Sequence, residues 1–233
     1  FSMKFSFVNP TQIHFGQGQI ARIADAIPAD RKVLLLYGGG SIKTNGVYEQ
    51  VVSALAEHQW QEFAGVEPNP TVETLDKAVA QVKDSGLDYI LAVGGGSVID
   101  GAKYVAAAAL YDGEGWDILL GKHRVKQALP IGAVLTLPAT GSESNGGSVI
   151  TKKATRDKLN FMSPAVQPSF AVLDPDVMKT LPERQLANGL VDAWVHTCEQ
   201  YLTMPTEAMV QEGYAEVLLR SLKSLGEQFA QRD

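Results

Sequence analysis

The fold is decided by the stretch Leu91-Ala92-Val93-Gly94-Gly95-Gly96-Ser97-Val98-Ile99-Asp100. The apolar run from Tyr89 to Val93 predicts a buried strand, and the small and apolar residues from Val98 to Leu110 predict a helix. Three glycines join the two, so backbone N–H groups at the helix start can approach an anion closely. The stretch therefore predicts a phosphate-binding turn. It lacks both the G-x-G-x-x-G spacing and the Gly-Lys-Ser/Thr of a P-loop, and the alternative is a plain tight connection.

The same order of strand and helix recurs around this stretch. Val33 to Tyr37 is a short apolar run followed by Gly38-Gly39-Gly40-Ser41, and Thr71 is a candidate N-cap for a helix from Val72 to Ser85. The alternation predicts an α/β fold with a parallel sheet. Because loops after parallel strands emerge at one edge, we expect both glycine clusters there, where such sheets bind ligands. The other predicted strands are Phe5 to Val8, Gln12 to Phe15, Glu62 to Val66, Gly132 to Leu137 and Phe170 to Leu173, with a hairpin from Gly147 to Thr151 and Lys158 to Met162.

Hydroxyl side chains follow the predicted strand that ends at Leu137. The run is Pro138-Ala139-Thr140-Gly141-Ser142-Glu143-Ser144-Asn145. Hydroxyls at the carboxyl end of a strand can donate to phosphate, ribose or base, so the run adds to the prediction of a nucleotide site. The alternative is a serine-rich turn that caps a helix.

From Pro182 the pattern changes to two long helices with no strand between them. We predict one helix from Arg184 to Leu202 and a second, capped by Thr206, from Glu207 to about Gln231. The sequence thus predicts an α/β domain over residues 3–181 and the first helices of an all-helical domain over residues 182–233.

Asp192 and His196 lie four residues apart in the first of these helices, which places them one turn apart on one face. Their oxygen and nitrogen atoms suit zinc or ferrous iron, whereas a mutual hydrogen bond in a buried network is the simpler alternative. A metal site needs three or four ligands. The other histidines, His14, His58 and His123, fall in segments predicted as strand, surface helix and loop. The sequence therefore predicts half of a metal site.

The charge, the cysteine content and the lengths of the apolar runs limit which classes of protein the chain can belong to. A net charge of −6 argues against a nucleic-acid surface, which needs a basic patch. Cys198 is the single cysteine, so no internal disulfide can form and we expect a reducing, cytoplasmic location. No apolar run reaches the length that crosses a bilayer, so we expect no membrane partner.

Three stretches together resemble one family, the iron-containing (group III) alcohol dehydrogenases. They are Gly94 to Lys103, Thr136 to Glu143 and Asp192 to His196, and their order and spacing match over essentially the whole chain. The runs Tyr37 to Ser41 and Glu67 to Pro70 look most like the branch of NADPH-dependent aldehyde reductases and butanol dehydrogenases. The resemblance implies a Rossmann-like dinucleotide-binding domain followed by a helical metal-binding domain, a dehydroquinate synthase-like architecture.

The resemblance also implies a cofactor and the residues that bind it. NAD-preferring members hold the ribose with an aspartate, and Gly38 stands at that place here. A carboxylate there would repel a 2′-phosphate, whereas glycine N–H groups and Ser41 can donate to it, so we expect NADP(H). Asp100 is expected to order the ribose or a proton path. The expected cofactor-binding residues are Gly38, Gly39, Gly40, Ser41, Gly95, Gly96, Ser97, Asp100, Thr136, Thr140, Ser142 and Lys158.

Asp192 and His196 match the first two metal ligands of the family, whose two further histidines would lie beyond Asp233. We therefore expect the chain to be the N-terminal part of a longer protein, inactive on its own. For the intact enzyme the resemblance implies hydride transfer between the nicotinamide and an aldehyde or primary alcohol, with Fe²⁺ or Zn²⁺ polarising the oxygen. An N-terminal edge strand also predicts a homodimer formed by sheet addition.

Two alternatives stay open at this point. An NAD-dependent polyol dehydrogenase of the glycerol type, or a sugar-ring synthase that uses NAD, shares the nucleotide fold and would show a strong NAD preference. A nucleotide-binding module without catalysis would show neither metal nor turnover.

Overall fold

The computed structural model of the chain describes residues 4–204 and 207–232. Within these residues, eight strands and seven α-helices follow one another, with short 3-10 turns between them. The strands are β1 (Gln12–Phe15), β2 (Lys32–Tyr37), β3 (Gln59–Phe63), β4 (Tyr89–Gly95), β5 (Ile131–Leu137), β6 (Gly147–Lys152), β7 (Asp157–Met162) and β8 (Phe170–Leu173). The helices are α1 (Ile23–Ala26), α2 (Val47–Ala54), α3 (Val72–Ser85), α4 (Gly96–Ala108), α5 (Trp116–Leu119), α6 (Glu183–Tyr201) and α7 (Met209–Ala230).

Six strands form one parallel sheet in the order β1-β8-β5-β4-β2-β3. The chain runs from β2 outward to β3 and then returns to place β4 on the other side of β2. Such a reversal of strand order opens a crevice at the carboxyl ends of the two strands, where α/β sheets bind ligands. Both glycine clusters lie at this crevice, since Gly38 follows β2 and Gly95 ends β4.

The central strands are apolar along their whole length because helices cover both faces of the sheet. Leu34 and Leu36 of β2 pack into the core beneath α3 and α4, whereas Val33 and Leu35 pack into the core beneath α1 and α2. All four side chains are fully buried. The two cores hold the glycine turns on a rigid platform.

Helix α4, which begins at the glycine turn, lies deep in the domain. It approaches α3 closely at Gly101, where an added Cβ would lie 2.9 Å from Cδ2 of Leu75. Lys103 is the charged side chain among the buried residues of α4, and it is fully buried.

Strands β6 and β7 form a separate antiparallel hairpin that lies across the starts of α3 and α4. Glu73, in the first turn of α3, accepts hydrogen bonds from the backbone N–H groups of Lys153 (3.2 Å) and Ala154 (3.1 Å) in the hairpin turn. Since α3 and α4 both begin at the carboxyl edge of the sheet, the hairpin forms a wall beside the crevice.

Most of the predicted elements are confirmed, including the bounds of α3, the hairpin and the last strand. The predicted strand at Phe5 to Val8 is wrong, because residues 4–10 form no regular element. Strand β3 lies earlier than Glu62 to Val66, since Gly65 adopts a left-handed conformation (φ 94°) that ends the strand. Helix α4 begins at Gly96 rather than Val98. The predicted cap Thr206 lies outside the described residues.

The chain divides into two compact units, one up to Lys179 and one from Thr180 onward. The second unit consists of α6 and α7, which are joined by a hydrogen bond from the Tyr201 hydroxyl to Oε1 of Glu216 (3.2 Å). Neither helix contains a buried residue. Across the part of the chain that the structure describes, no helix combines the length and apolar character that a bilayer crossing requires.

Candidate functional site

The turn from β4 into α4 is the centre of the candidate site. Gly95 is extended (φ −85°, ψ −169°) and helix α4 begins at Gly96 without a capping side chain. The first N–H groups of the helix therefore keep no side-chain partner, and the helix end adds a partial positive charge. A Cβ at Gly96 would collide with the side chain of Thr140, so the helix start and the loop after β5 are in direct contact. This arrangement favours an anion such as a pyrophosphate.

The cluster after β2 provides open space at the same edge. A Cβ at Gly39 would meet no atom within 4 Å, whereas one at Gly38 would lie 3.2 Å from the backbone oxygen of Val66. Gly40 adopts a left-handed conformation (φ 100°) and leads into a 3-10 turn over Ser41–Lys43. A ligand group therefore has room beside Gly39 and Ser41.

Lys43 supplies a cation beside this cluster that the sequence analysis missed. Its Nζ lies 3.6 Å from Oε2 of Glu62 and 4.5 Å from the ring centre of Tyr48. Glu62 also accepts hydrogen bonds from the hydroxyls of Tyr48 (2.9 Å) and Tyr37 (3.0 Å). Hydrogen bonding to Tyr37 and the charge of Glu62 raise the pKa of Lys43. In the sequence, its position two residues after Ser41 was the feature that could have indicated a role in this site.

Lys158 is brought to the glycine turn through Asn69, a second residue that the sequence analysis missed. Lys158 Nζ donates to Oδ1 of Asn69 (2.8 Å), and the backbone N–H of Asn69 donates to the Ser97 hydroxyl (3.4 Å). Asn69 has a left-handed backbone (φ 55°), which asparagine tolerates better than most residues. The sequence pointed to Asn69 only as part of the run Glu67 to Pro70, which carries some of the family resemblance.

Asp100 and Ser142 have their side chains engaged with protein groups. Asp100 accepts hydrogen bonds from the Ser142 hydroxyl (2.6 Å) and from the backbone N–H of Val149 (3.0 Å), one on each oxygen. Ser142 is 2% exposed, and its oxygen also accepts a hydrogen bond from Lys103 Nζ (2.8 Å). These contacts hold the loop after β5 against α4, and the expected cofactor contacts of Asp100 and Ser142 stay predictions.

The two candidate threonines differ in how accessible they are. Thr140 is exposed beside Gly96, and its hydroxyl oxygen accepts a hydrogen bond from the backbone N–H of Ser142 (3.2 Å). Its own hydroxyl hydrogen is therefore free to donate to a ligand. Thr136 is half-buried near the carboxyl end of β5.

Asp192 and His196 lie on one face of α6 in the second unit. His196 Nε2 is 3.8 Å from Oδ1 of Asp192, which is too long for a hydrogen bond. Their side chains are 52% and 44% exposed, so the alternative of a buried hydrogen-bonded network is wrong. The oxygen and nitrogen donors fit zinc or ferrous iron. Among residues 4–204 and 207–232, however, no group of three or more His, Cys, Asp or Glu side chains could hold a metal.

The predicted site residues fall into two groups, one in each unit. The first unit brings together the glycine turns, Thr140 and Lys158 at one edge of the sheet. Asp192 and His196 belong to the second unit and form a separate pair of donors.

Comparison with known proteins agrees with this arrangement. A family model described as iron-containing alcohol dehydrogenase matches residues 10–175. The NADPH-dependent aldehyde reductase YqhD of Escherichia coli K12 is 53% identical over 221 residues, which are 94% of this chain and 57% of that protein. The probable NADH-dependent butanol dehydrogenase 1 of Bacillus subtilis 168 is 48% identical over the same shares of the two chains.

Solved structures agree with the fold. The crystal structure of E. coli YqhD superposes with a TM-score of 0.90 at 53% identity, over 94% of this chain and 57% of that one. The NADH-dependent butanol dehydrogenase A of Thermotoga maritima superposes with a TM-score of 0.93 at 44% identity, over 98% and 58%. The chain therefore spans a little more than half the length of these relatives. The parallel sheet, the glycine turns and the matched family together show that this chain belongs to the iron-containing alcohol dehydrogenases.

Proposed function

We propose that this chain binds NADP(H) at the crevice where β2 and β4 end, as the nucleotide-binding part of an alcohol dehydrogenase or aldehyde reductase. One observation supports this most strongly: the reversal of strand order lies between the two glycine clusters, and the uncapped start of α4 points there. In this proposal the N–H groups of Gly95, Gly96 and Ser97 bind the pyrophosphate. Thr140 donates its hydroxyl to the same group, and Lys158 neutralises part of the negative charge.

The preference for NADP(H) over NAD(H) is part of the proposal. No carboxylate stands in the run Gly38 to Ser41, and the space beside Gly39 is open. Backbone N–H groups and the Ser41 hydroxyl would donate to a 2′-phosphate, and Lys43 adds a nearby positive charge. The relatives differ in this respect, since YqhD is described as NADPH-dependent and the B. subtilis butanol dehydrogenase as NADH-dependent.

The proposed reaction is reduction of an aldehyde, or oxidation of a primary alcohol, by hydride exchange with the nicotinamide. Asp192 and His196 would hold Fe²⁺ or Zn²⁺ as two of its ligands. Such a metal, when bound, supplies Lewis-acid stabilisation of negative charge on the substrate oxygen. The residues of the first unit orient the cofactor by fixing its phosphates against the sheet edge.

A homodimer and a cytoplasmic location complete the proposal, without nucleic-acid or membrane partners. β1 is an edge strand, and the segment before it exposes large apolar side chains at Phe5, Phe7 and Val8. Pairing of this edge with a second copy would cover both the unpaired backbone and these side chains.

Calorimetric titration with NADPH and with NADH tests the nucleotide site, with metal content assayed on the same sample. We expect tighter binding of NADPH. Lys158→Met should weaken NADPH binding about tenfold, because a charge-assisted contact is lost. Lys153→Met is the matched control on the same hairpin, because Lys153 pairs with Glu67 instead (3.1 Å), and it should change binding little. Tighter binding of NADH would favour the polyol dehydrogenase alternative, and equal effects of the two variants would remove Lys158 from the site.

A further inference from the structure

Lys103 is a fully buried lysine whose ammonium group meets only neutral oxygen atoms. Its Nζ donates to the Ser142 hydroxyl (2.8 Å), to Oδ1 of Asn145 (3.0 Å) and to the backbone oxygen of Gly147 (2.7 Å). Lys103 itself is 0% exposed. An ammonium can donate three hydrogen bonds in three directions, so this one group ties all three acceptors to α4.

These acceptors lie along one segment, residues 142–147, which connects the loop after β5 to the start of β6. The same segment is held to α4 at a second place, because Asp100 accepts from the Ser142 hydroxyl and from the Val149 N–H. The Ser148 hydroxyl also donates to the backbone oxygen of Asp100 (2.8 Å). Helix α4 therefore holds the whole segment through Asp100 and Lys103.

The segment in turn positions the exposed Thr140. The backbone N–H of Ser142 donates to the Thr140 hydroxyl oxygen, and Thr140 contacts the helix start at Gly96. Lys103 is buried and lies about two turns along α4 from that start, so it does not itself reach the glycine turn. Two hydrogen bonds, from Lys103 to Ser142 and from Ser142 to Thr140, link it to the loop beside that turn.

We propose that Lys103 is a positioning residue for nucleotide binding: its ammonium fastens residues 142–147 to α4 and thereby holds Thr140 over the glycine turn. This inference rests on the proposed NADP(H) site. Neutral Lys103 has only two N–H donors, so one of its three hydrogen bonds to the segment is lost and the segment loosens.

The charged groups that act on Lys103 are Asp100 on its own helix and Glu143 on the fastened segment. Burial lowers the pKa of Lys103 to about 8, against the opposing effect of these two carboxylates. Loss of the proton therefore occurs at mildly alkaline pH, where it can be followed in the folded protein.

The test uses the whole 233-residue chain with Lys103→Met and, as matched control, Lys83→Met. Lys83 Nζ also donates to a backbone oxygen, that of Tyr111 (2.8 Å), but is exposed on α3.

We expect Lys103→Met to weaken NADPH binding about tenfold at neutral pH and to speed hydrogen exchange at the backbone amides of residues 142–149. NADPH affinity of the unaltered chain should fall as pH rises through about 8, and Lys103→Met should show no such fall. Lys83→Met should behave like the unaltered chain.

Three results would contradict the positioning role of Lys103 or the proposed function, and they can be told apart. If the unaltered chain binds NADPH and Lys103→Met binds it equally well, the positioning role is overturned and the proposed function stands. If the unaltered chain does not bind NADPH, the proposed function fails and the positioning role fails with it. If Lys103→Met does not fold, hydrogen exchange in the unaltered chain provides the test. The protection of the backbone amides of residues 142–149, relative to those of β4, should then fall as pH rises through about 8. Constant protection over this pH range would overturn the inference.

Discussion

In the proposed NADP(H) site, Gly39 occupies the position on which the choice between NADPH and NADH would depend. It follows β2 at the crevice, and a side chain placed there meets no atom within 4 Å. Gly38, which the sequence alone suggests for this role, is less suitable for a test, since its Cβ would lie 3.2 Å from the backbone oxygen of Val66. A substitution at Gly39 therefore changes the site with little effect on packing.

Gly39→Asp should weaken NADPH binding by about tenfold or more, because its carboxylate repels a 2′-phosphate at short range. NADH binding should be kept or improved, since the carboxylate can accept from the ribose hydroxyls. Calorimetric titration with both cofactors measures the ratio. Gly39→Asn is the control of equal size without the charge, and it should keep most of the NADPH affinity. An unchanged ratio in Gly39→Asp would place the 2′-phosphate elsewhere.

At the scale of the element, the close packing of α4 against α3 depends on Gly101. A Cβ at this position would lie 2.9 Å from Cδ2 of Leu75 and 3.4 Å from Cγ1 of Val66. Gly101→Val should therefore lower the free energy of unfolding by roughly 1–3 kcal/mol through overpacking. Gly213→Val on α7 is the control, because nothing lies within 4 Å of its added Cβ. Urea denaturation measures both, and equal stabilities would show that α4 has room at Gly101.

Strand β4 carries a tyrosine that makes stability depend on alkaline pH. Tyr89 is 3% exposed, and burial raises its pKa from the ordinary 10.0 to about 12. The unfolded chain therefore loses this proton first, so the free energy of unfolding falls as pH rises from about 10 toward 12. Tyr89→Phe should show a shallower fall in denaturation experiments over this range. A fall of equal slope in both proteins would mean that Tyr89 titrates normally.

The elements show what the sequence could and could not predict. The buried strands β2, β4 and β5 were predictable because two-sided burial selects continuous apolar runs. β3 was misplaced because it is an edge strand of polar composition, Gln59-Trp60-Gln61-Glu62-Phe63, and the left-handed Gly65 that ends it leaves no pattern. Ser142 was assigned to the cofactor because a hydroxyl in a loop suggests a ligand. Its hydrogen bonds to Asp100 and Lys103 could not be predicted, because they depend on tertiary contacts.

The whole molecule consists of one unit with its own two cores and a second unit whose helices contain no buried residue. All residues that we assign to the nucleotide belong to the first unit. A chain that ends at Lys179 should therefore fold and bind NADPH with an affinity within about twofold of the 233-residue chain. Circular dichroism and calorimetric titration measure this. An unfolded product, or a large loss of affinity, would show that residues from Thr180 onward contribute to the site.

The sequence also predicted the chemical type of the metal donors, but their surroundings needed the structure. Asp192 and His196 were recognisable from a spacing of one helical turn. The exposure of these two side chains could not be predicted, because their apolar neighbours in the sequence suggested burial. In the structure, the neighbours Val191 and Val195 are themselves 62% and 44% exposed.

The most direct test of the nucleotide site is a crystal structure of this chain with bound NADPH. We expect the pyrophosphate within hydrogen-bonding distance of the N–H groups of Gly95, Gly96 and Ser97, and the 2′-phosphate beside Gly39 and Ser41. NADPH bound at any other place on the chain, or no bound nucleotide at saturating NADPH, would contradict the claim that the crevice between β2 and β4 is the cofactor site.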